Sequence, residues 1–171
     1  MPSTHPVRDD SMETCTRSIA LDVPAHEVFA FCTSCAGFLA HYPNPVRSYR
    51  GAERWVLGSE FWLDYRYFGL PMTWHGKITA FEPDRSFTDH MVSGMFRYWE
   101  HTHSVEAIPG GSRYTDRVRF SLGLGRFVDR VIVRRSLTTF FERRHTLLQS
   151  ALRAHQPFKA ASDVQPSMRS A

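Results

Sequence analysis

Two histidines one residue apart, His101 and His103, precede a Pro109-Gly110-Gly111 break, and an aspartate, Asp116, follows it. Imidazole titrates near neutral pH, so a carboxylate beside it can fix its tautomer, raise its basicity or share a metal ion with it. These residue types therefore suit three chemistries: a buried polar brace, a general acid–base device, or a chelate. The choice among them depends on which face of which element carries each side chain.

Both flanks of the break alternate as strands do. Tyr98, Glu100, Thr102, Ser104 and Glu106 form a polar face, and Trp99, His101, His103, Val105 and Ala107 form the other. Beyond the break, Tyr114, Asp116, Val118 and Phe120 oppose Arg113, Thr115, Arg117 and Arg119. The two histidines and Asp116 thus share the inward face of a hairpin. With Gly110-Gly111 as a two-residue turn, Val105 stands opposite Asp116 and His103 opposite Val118, leaving His103 and Asp116 diagonal neighbours. A turn around Gly94 to Arg97 sets Asp89 opposite His103. The expectation is an inward row with a carboxylate on each side of a histidine, costly to bury unless its members pair or serve a ligand. His75 and His90 have the opposite parity, so no third histidine joins the row; this counts against metal, and neither a metal nor another cofactor is expected.

The elements that hold this row are legible in order. "CTRSIALDV", residues 15 to 23, alternates as a strand, and "DVPAHEVFAFC" starts a helix with Pro24 near its first turn. "AGFLAHYPNPV" reads as a second short helix stopped by Pro43 and Pro45. Strand runs follow at 46 to 52, 59 to 68, 72 to 82, 86 to 93, 98 to 108 and 112 to 122, mostly separated by Gly and Pro turn signals. "GRFVDRVIVRRSLTTFFERRHTLLQSALRA", residues 125 to 154, is a long amphipathic helix carrying Val133, Leu137, Phe140, Phe141, Leu148 and Leu152 at helical spacing. Its arginines, among them Arg130, Arg134, Arg135, Arg143 and Arg144, read as a solvated outer face. In "FWLDYRYFG", Phe61, Leu63, Tyr65 and Tyr67 alternate with Trp62, Asp64, Arg66 and Phe68, so the inward face carries tyrosine hydroxyls in an apolar wall.

Composition narrows the function classes. A chain of 171 residues with 42% hydrophobic residues is long enough for one domain with a sizeable core, and 13% aromatics suits a large core or a cavity for an apolar ligand. A net charge of +4, with arginines scattered among acids, leaves no footprint for nucleic acid. Three cysteines make no disulfide framework, and no stretch approaches the ~20 apolar residues of a membrane span, so a cytoplasmic protein without stable membrane insertion is expected. Cys32 and Cys35 have redox spacing but are read as buried small residues at the end of the first helix, away from any helix N-terminus. Gly123-x-Gly125 lacks the third glycine and the parallel unit of a dinucleotide loop. Polar, aperiodic sequence marks residues 1–12 and 155–171 as flexible tails around one ligand-binding domain, 13–154.

One strand, two short helices, six antiparallel strands and a long helix make an α+β fold in which a curved seven-stranded sheet wraps the C-terminal helix. With "SIALDVPAHEVFAF", "ITAFEPDRSFTD" and "YWEHTHSVEAIPGGSRYTDRVRF" paired with "FFERRHTLLQSAL", the chain resembles the SRPBCC, or START-like helix-grip, superfamily of Bet v 1 and polyketide cyclase/dehydrase proteins. Within it, these phrases resemble a bacterial ligand-binding branch. Where many relatives carry Trp after "FLA", this chain has His41-Tyr42, which alters the expected cavity mouth.

The resemblance implies an internal cavity for a hydrophobic, oxygen-bearing small molecule. It further implies cofactor-independent chemistry of the cyclase, dehydratase or isomerase type in secondary-metabolite biosynthesis. His103 or His101 would then move the proton, Asp116 and Asp89 would fix its tautomer, and Tyr65 or Tyr67 would bond the developing enolate oxygen. Tyr42, Phe61, Tyr65, Tyr67, Trp99, Phe120, Leu137 and Phe141 would line the ligand. The alternatives are a non-catalytic carrier or sensor using the same cavity, and an assembly factor working by its surface; a homodimer is compatible with all of them.

Overall fold

The computed structural model describes residues 12–155. Residues 1–11 of the expected N-terminal tail and all of the C-terminal tail beyond His155 lie outside the described residues; His155 itself still ends the last helix. Chain order is β1 (Glu13–Leu21), α1 (Ala25–Cys32), α2 (Cys35–Ala40), β2 (Val46–Gly51), β3 (Glu60–Tyr67), β4 (Leu70–Glu82), β5 (Ser86–Ser93), β6 (Tyr98–Ile108) and β7 (Gly111–Ser121). A turn of helix, α3 (Arg126–Val128), then runs through a π-helical turn, Asp129–Val133, into α4 (Arg134–His155).

All neighbouring strands are antiparallel, in the order β1-β7-β6-β5-β4-β3-β2. Between β1 and β2 the chain crosses the whole sheet by way of α1 and α2. Register shifts interrupt the β4–β5 pairing at His75/Gly76 and Ile78/Ala80, and the β2–β3 pairing at Val46/Ser48. Such irregularities bend and twist the strand that carries them. They lie in the half of the sheet away from β1, where curvature lifts the strands around α4.

The helices have local causes. Pro24 starts α1 and Thr33 ends it, its hydroxyl donating to the Phe29 carbonyl at 2.8 Å. Ser34 caps α2 by accepting from the Gly37 amide at 3.0 Å. Cys35 is therefore the first residue of α2 and not an extension of α1, a correction to the sequence reading. Burial nevertheless pushes its thiol pKa up and that of Cys32 up to about 12, so neither is an activated thiol. Asp129, 1% exposed, ties the C-terminal helix to β7 by accepting from the Ser121 hydroxyl at 2.8 Å and the Leu122 amide at 2.9 Å.

The hairpin register also departs from expectation. Ile108 pairs with Gly111, so the two-residue turn is Pro109-Gly110. Proline holds φ near −65°, which a type I′ turn forbids at that place, and Gly110 at φ 83° supplies the left-handed second position of a type II turn. The pairing consequently moves by two residues: His103 faces Asp116, Val105 faces Tyr114 and His101 faces Val118. A shift of two preserves parity, so the inward set is unchanged. On the other side Asp89 faces His101, and Phe87 faces His103.

Apolar burial falls in two clusters. One contains Leu21, Val28, Phe29, Phe38, Phe61, Tyr114, Leu148 and Leu152; the other contains Trp99, Val118, Phe120, Val133, Leu137 and Phe141. Gly76 is where the first comes closest to the backbone: a Cβ there would stand 2.4 Å from Phe61 Cζ, and that ring is 2% exposed. Gly76→Ala is expected to cost about 1–3 kcal/mol through overpacking. An unchanged urea midpoint for that variant would show that the Phe61 ring has room to move.

Candidate functional site

Between the two apolar clusters runs a polar seam. Asp116, fully buried on β7, sits at its centre. Its Oδ1 accepts from His101 Nε2 at 2.8 Å and from the Tyr114 hydroxyl at 3.0 Å; His103 Nδ1, 3.0 Å from the same oxygen, donates to the Tyr114 oxygen at 2.7 Å. Its Oδ2 accepts from His145 Nε2 at 2.8 Å, with Arg144 Nε 3.9 Å away. An ionised carboxylate only accepts, so His101 Nε2 and His145 Nε2 each present an N–H to it and Tyr114 its O–H. On β5, Asp89 Oδ2 lies 3.1 Å from His103 Nε2 and 3.5 Å from His101 Nδ1. His103 is thus held between two carboxylates and stacked on Phe87 at 4.1 Å, while His101 lies edge-on to Trp99 and Phe141.

Electrostatics follow from this geometry. Burial works to raise the Asp116 pKa, but the imidazoles of His101, His103 and His145 beside it outweigh it and hold the carboxyl well below its ordinary range. Asp89 is likewise lowered against its burial, through His103 and His101. Burial, aided by the neighbouring His103, pushes His101 down to about 4, so its imidazole is neutral at pH 7. Burial, followed by the charge of Asp116, pushes the Tyr114 hydroxyl well above its ordinary value. The seam therefore carries two carboxylates and one guanidinium, Arg144, in almost complete burial.

The seam closes one side of a cavity of about 390 Å³ between sheet and helix. Asp89, His101, His103 and Arg144 reach its wall, and the rest is largely aromatic and aliphatic. Tyr65 and Tyr67 line it from β3, their hydroxyls meeting Met95 Sδ at 3.8 Å and the Ser136 hydroxyl at 2.7 Å. Phe68, 88% exposed, and Ile132, 60% exposed, border it toward solvent. A volume of this size is within the ordinary range for a small-molecule pocket.

Of the residues expected to contact a ligand, Tyr42, Phe61, Tyr65, Tyr67, Trp99 and Leu137 line the cavity. Phe120 and Phe141 do not: each is buried in the second apolar cluster, Phe120 near Phe96 and Phe141 beneath His101 and Phe140. Asp116 does not reach the wall either and acts only through its partners. His41, expected near the mouth, is fully buried with Nδ1 donating to the Gly37 carbonyl. Only Tyr42 of that pair faces the cavity, edge-on to Tyr65 and Phe140.

Two seam residues escaped the sequence reading. Arg144, assigned there to the outer face, is 3% exposed, and His145, not considered there, is 6% exposed. The signal was present: both fall three and four residues after Phe141 and before Leu148, on the buried stripe of α4. Charge alone suggested solvent, but Asp116 and the cavity supply an inward environment that period would have predicted.

Residues 59–152 match a family model described as Domain of unknown function (DUF8410). The chain belongs to the DUF8410 family. No curated protein sequence matches it. Among solved structures, the DUF8410 chain is similar to the di-domain ARO/CYC StfQ from the steffimycin biosynthetic pathway, with TM-score 0.70 and 14% identity over 87% of this chain and 54% of that one. It is similar to TTHA0849 from Thermus thermophilus, with TM-score 0.69 and 15% identity over 85% and 99% of the two chains. Ara h 8.0201 matches with TM-score 0.58 and 17% identity over 80% and 98%. At these identities the likeness establishes the fold, which is the helix grip expected from the sequence. No helix among the described residues is long and apolar enough to cross a membrane.

Proposed function

We propose that the protein binds an apolar, oxygen-bearing small molecule in the cavity and acts on its oxygen-bearing end by proton transfer, as a cyclase, dehydratase or isomerase does. The observation that carries this reading is the placement of Asp89, His101 and His103 on the wall of an otherwise largely apolar cavity. Buried ionisable groups are expensive, and groups with perturbed pKa values that open onto a cavity mark functional sites more often than surface ones. Asp116 fixes the orientation of His101 directly and of His103 through the Tyr114 hydroxyl, so the nitrogens nearest Asp89 are the ones turned toward a ligand. The apolar wall holds the carbon skeleton, which confers productive geometry on a flexible chain. Structural likeness to an ARO/CYC protein supports the reaction class by analogy of fold.

A non-catalytic carrier is the second reading. It is favoured by the donor shell of Asp116, which braces three elements without itself reaching the cavity.

Calorimetric titration with 1-naphthol, a bicyclic phenol, tests the binding step. Wild-type protein is expected to bind it, and Leu137→Trp, which projects a larger ring from the buried wall, to bind at least about tenfold more weakly. Equal affinity of the two proteins would place the probe outside the cavity. Catalysis is separated from carriage by turnover: once a substrate is found, a His101→Phe/His103→Phe protein that still turns it over at the wild-type rate would remove these residues from the chemistry.

A further inference from the structure

The inner corner of the cavity has a donor arrangement that proton transfer alone does not require. His101 Nε2 and His103 Nδ1 are both occupied on the Asp116 side, at 2.8 and 3.0 Å from Oδ1. Because the Tyr114 hydroxyl spends its proton on that oxygen, at 3.0 Å, its own oxygen accepts from His103 Nδ1 at 2.7 Å, which makes Nδ1 a donor. A neutral imidazole that donates from one nitrogen presents a lone pair at the other. The free lone pairs are then His101 Nδ1 and His103 Nε2, and these two atoms are the ones nearest Asp89 Oδ2, at 3.5 and 3.1 Å. With both rings neutral, three acceptors converge on one point, a repulsion relieved by a proton in the 3.1 Å His103 Nε2–Asp89 hydrogen bond or by a metal cation held among them.

We propose that Asp89, His101 and His103 form a binding site for one divalent transition-metal ion, of the zinc or ferrous class, at the polar end of the cavity. The ligand atoms of these three residues lie within 4.8 Å of one another. Two donors each about 2.1 Å from one ion, at octahedral or tetrahedral angles, stand about 3.0–3.4 Å apart. The two distances to Asp89, 3.1 and 3.5 Å, are close to this spacing, and the two ring nitrogens lie within 4.8 Å of each other. Two imidazoles and one carboxylate suit these ions, whereas hard cations such as magnesium and calcium prefer an all-oxygen set. Behind the rings stand the outer partners that metal-bound histidines ordinarily have: Asp116 accepts directly from His101, and the Tyr114 hydroxyl, itself bonded to Asp116, accepts from His103. All three ligands line the cavity, so the remaining coordination positions face a bound molecule or water.

The sequence argument against metal was the lack of a third inward histidine. Asp89 replaces it, brought beside both rings by the β5–β6 register. The functional part of this inference rests on the proposed reading that a ligand oxygen reaches the corner. With the ion bound, the imidazoles would hold it, it would polarise that oxygen as a Lewis acid, and water on its open side would carry the proton.

The test uses full-length protein stripped with a chelator and desalted, titrated with Zn²⁺ by calorimetry and with Co²⁺ by visible absorption. One ion per chain is expected, with a dissociation constant in the micromolar range or tighter. Asp89→Asn and His101→Phe should abolish this binding, whereas His90→Asn on the outer face should leave it unchanged. Tyr114→Phe, which keeps all three ligands and removes the hydroxyl that accepts from His103 and donates to Asp116, should weaken it by up to about tenfold to a hundredfold. Retention of full affinity in Asp89→Asn, or no stoichiometric binding by the wild type, would overturn the site. Should the ligand variants not fold, zinc-edge X-ray absorption of the wild type decides: two imidazoles in the first shell support the site, and fewer overturn it. Titration of the stripped protein with 1-naphthol separates the two readings, since metal bound without naphthol would leave the site standing and remove support for the cavity function.

Discussion

Asp116→Ala is expected to lower folding stability by about 3–5 kcal/mol, the typical cost of removing one partner from a buried charged cluster. The substitution strips His101, His145 and Tyr114 of their common acceptor, removes the carboxylate 3.0 Å from His103, and leaves the buried Arg144 guanidinium without the carboxylate 3.9 Å from it. In a domain of this size each 1 kcal/mol shifts Tm by about 2–4 °C, so a fall of roughly 10 °C is expected. Asp116→Asn should recover only part of the loss, because its NH₂ group would face donors. Thermal melts of the three proteins check this order. A change below about 1 kcal/mol for Asp116→Ala would mean that the seam is hydrated and not a closed network.

The second large effect is a loss of stability in mild acid. His101 has its pKa pushed down to about 4 in the folded protein, chiefly by burial, whereas an unfolded chain titrates it near 6.5. Between these values the unfolded state binds a proton that the folded state refuses. The contribution is therefore complete above about pH 6.5, falls as pH drops, and is exhausted near 4; its full size is of order 3 kcal/mol. Asp116 extends the loss to lower pH. Its folded pKa is depressed, so the stability it confers is present above its ordinary range near 4 and disappears as pH falls further. Urea unfolding of metal-free protein at successive pH values from 7 to 4 measures the effect, and His101→Phe should flatten the upper part of the curve. A flat profile for the wild type over that range would contradict a desolvated His101.

Much of this site was legible because strand parity is robust. The inward placement of His101, His103 and Asp116 follows from alternation alone and survived a two-residue error in hairpin register. The register was misjudged because Gly110-Gly111 has the composition of a type I′ turn, while Pro109 fixes a backbone angle that demands another type. Asp89 was placed correctly on the inward face; in the backbone ladder it stands opposite His101 and not His103, since turn length sets pairing and is poorly encoded, yet its carboxylate still lies nearer His103, at 3.1 Å. Arg144 was misassigned for a different reason: its burial depends on a carboxylate from β7 that only the tertiary fold brings near. The same holds for Phe120 and Phe141, whose inward direction was readable but whose separation from the cavity is set by neighbouring rings.

A crystal structure of the protein bound to 1-naphthol tests the central claim most directly, because that claim concerns where a ligand's oxygen goes. The account predicts the rings among Tyr65, Trp99 and Leu137, with the hydroxyl within hydrogen-bonding or coordination distance of the Asp89, His101 and His103 corner. A naphthol seated with its hydroxyl toward Phe68 and Ile132, or bound outside the cavity altogether, would contradict it.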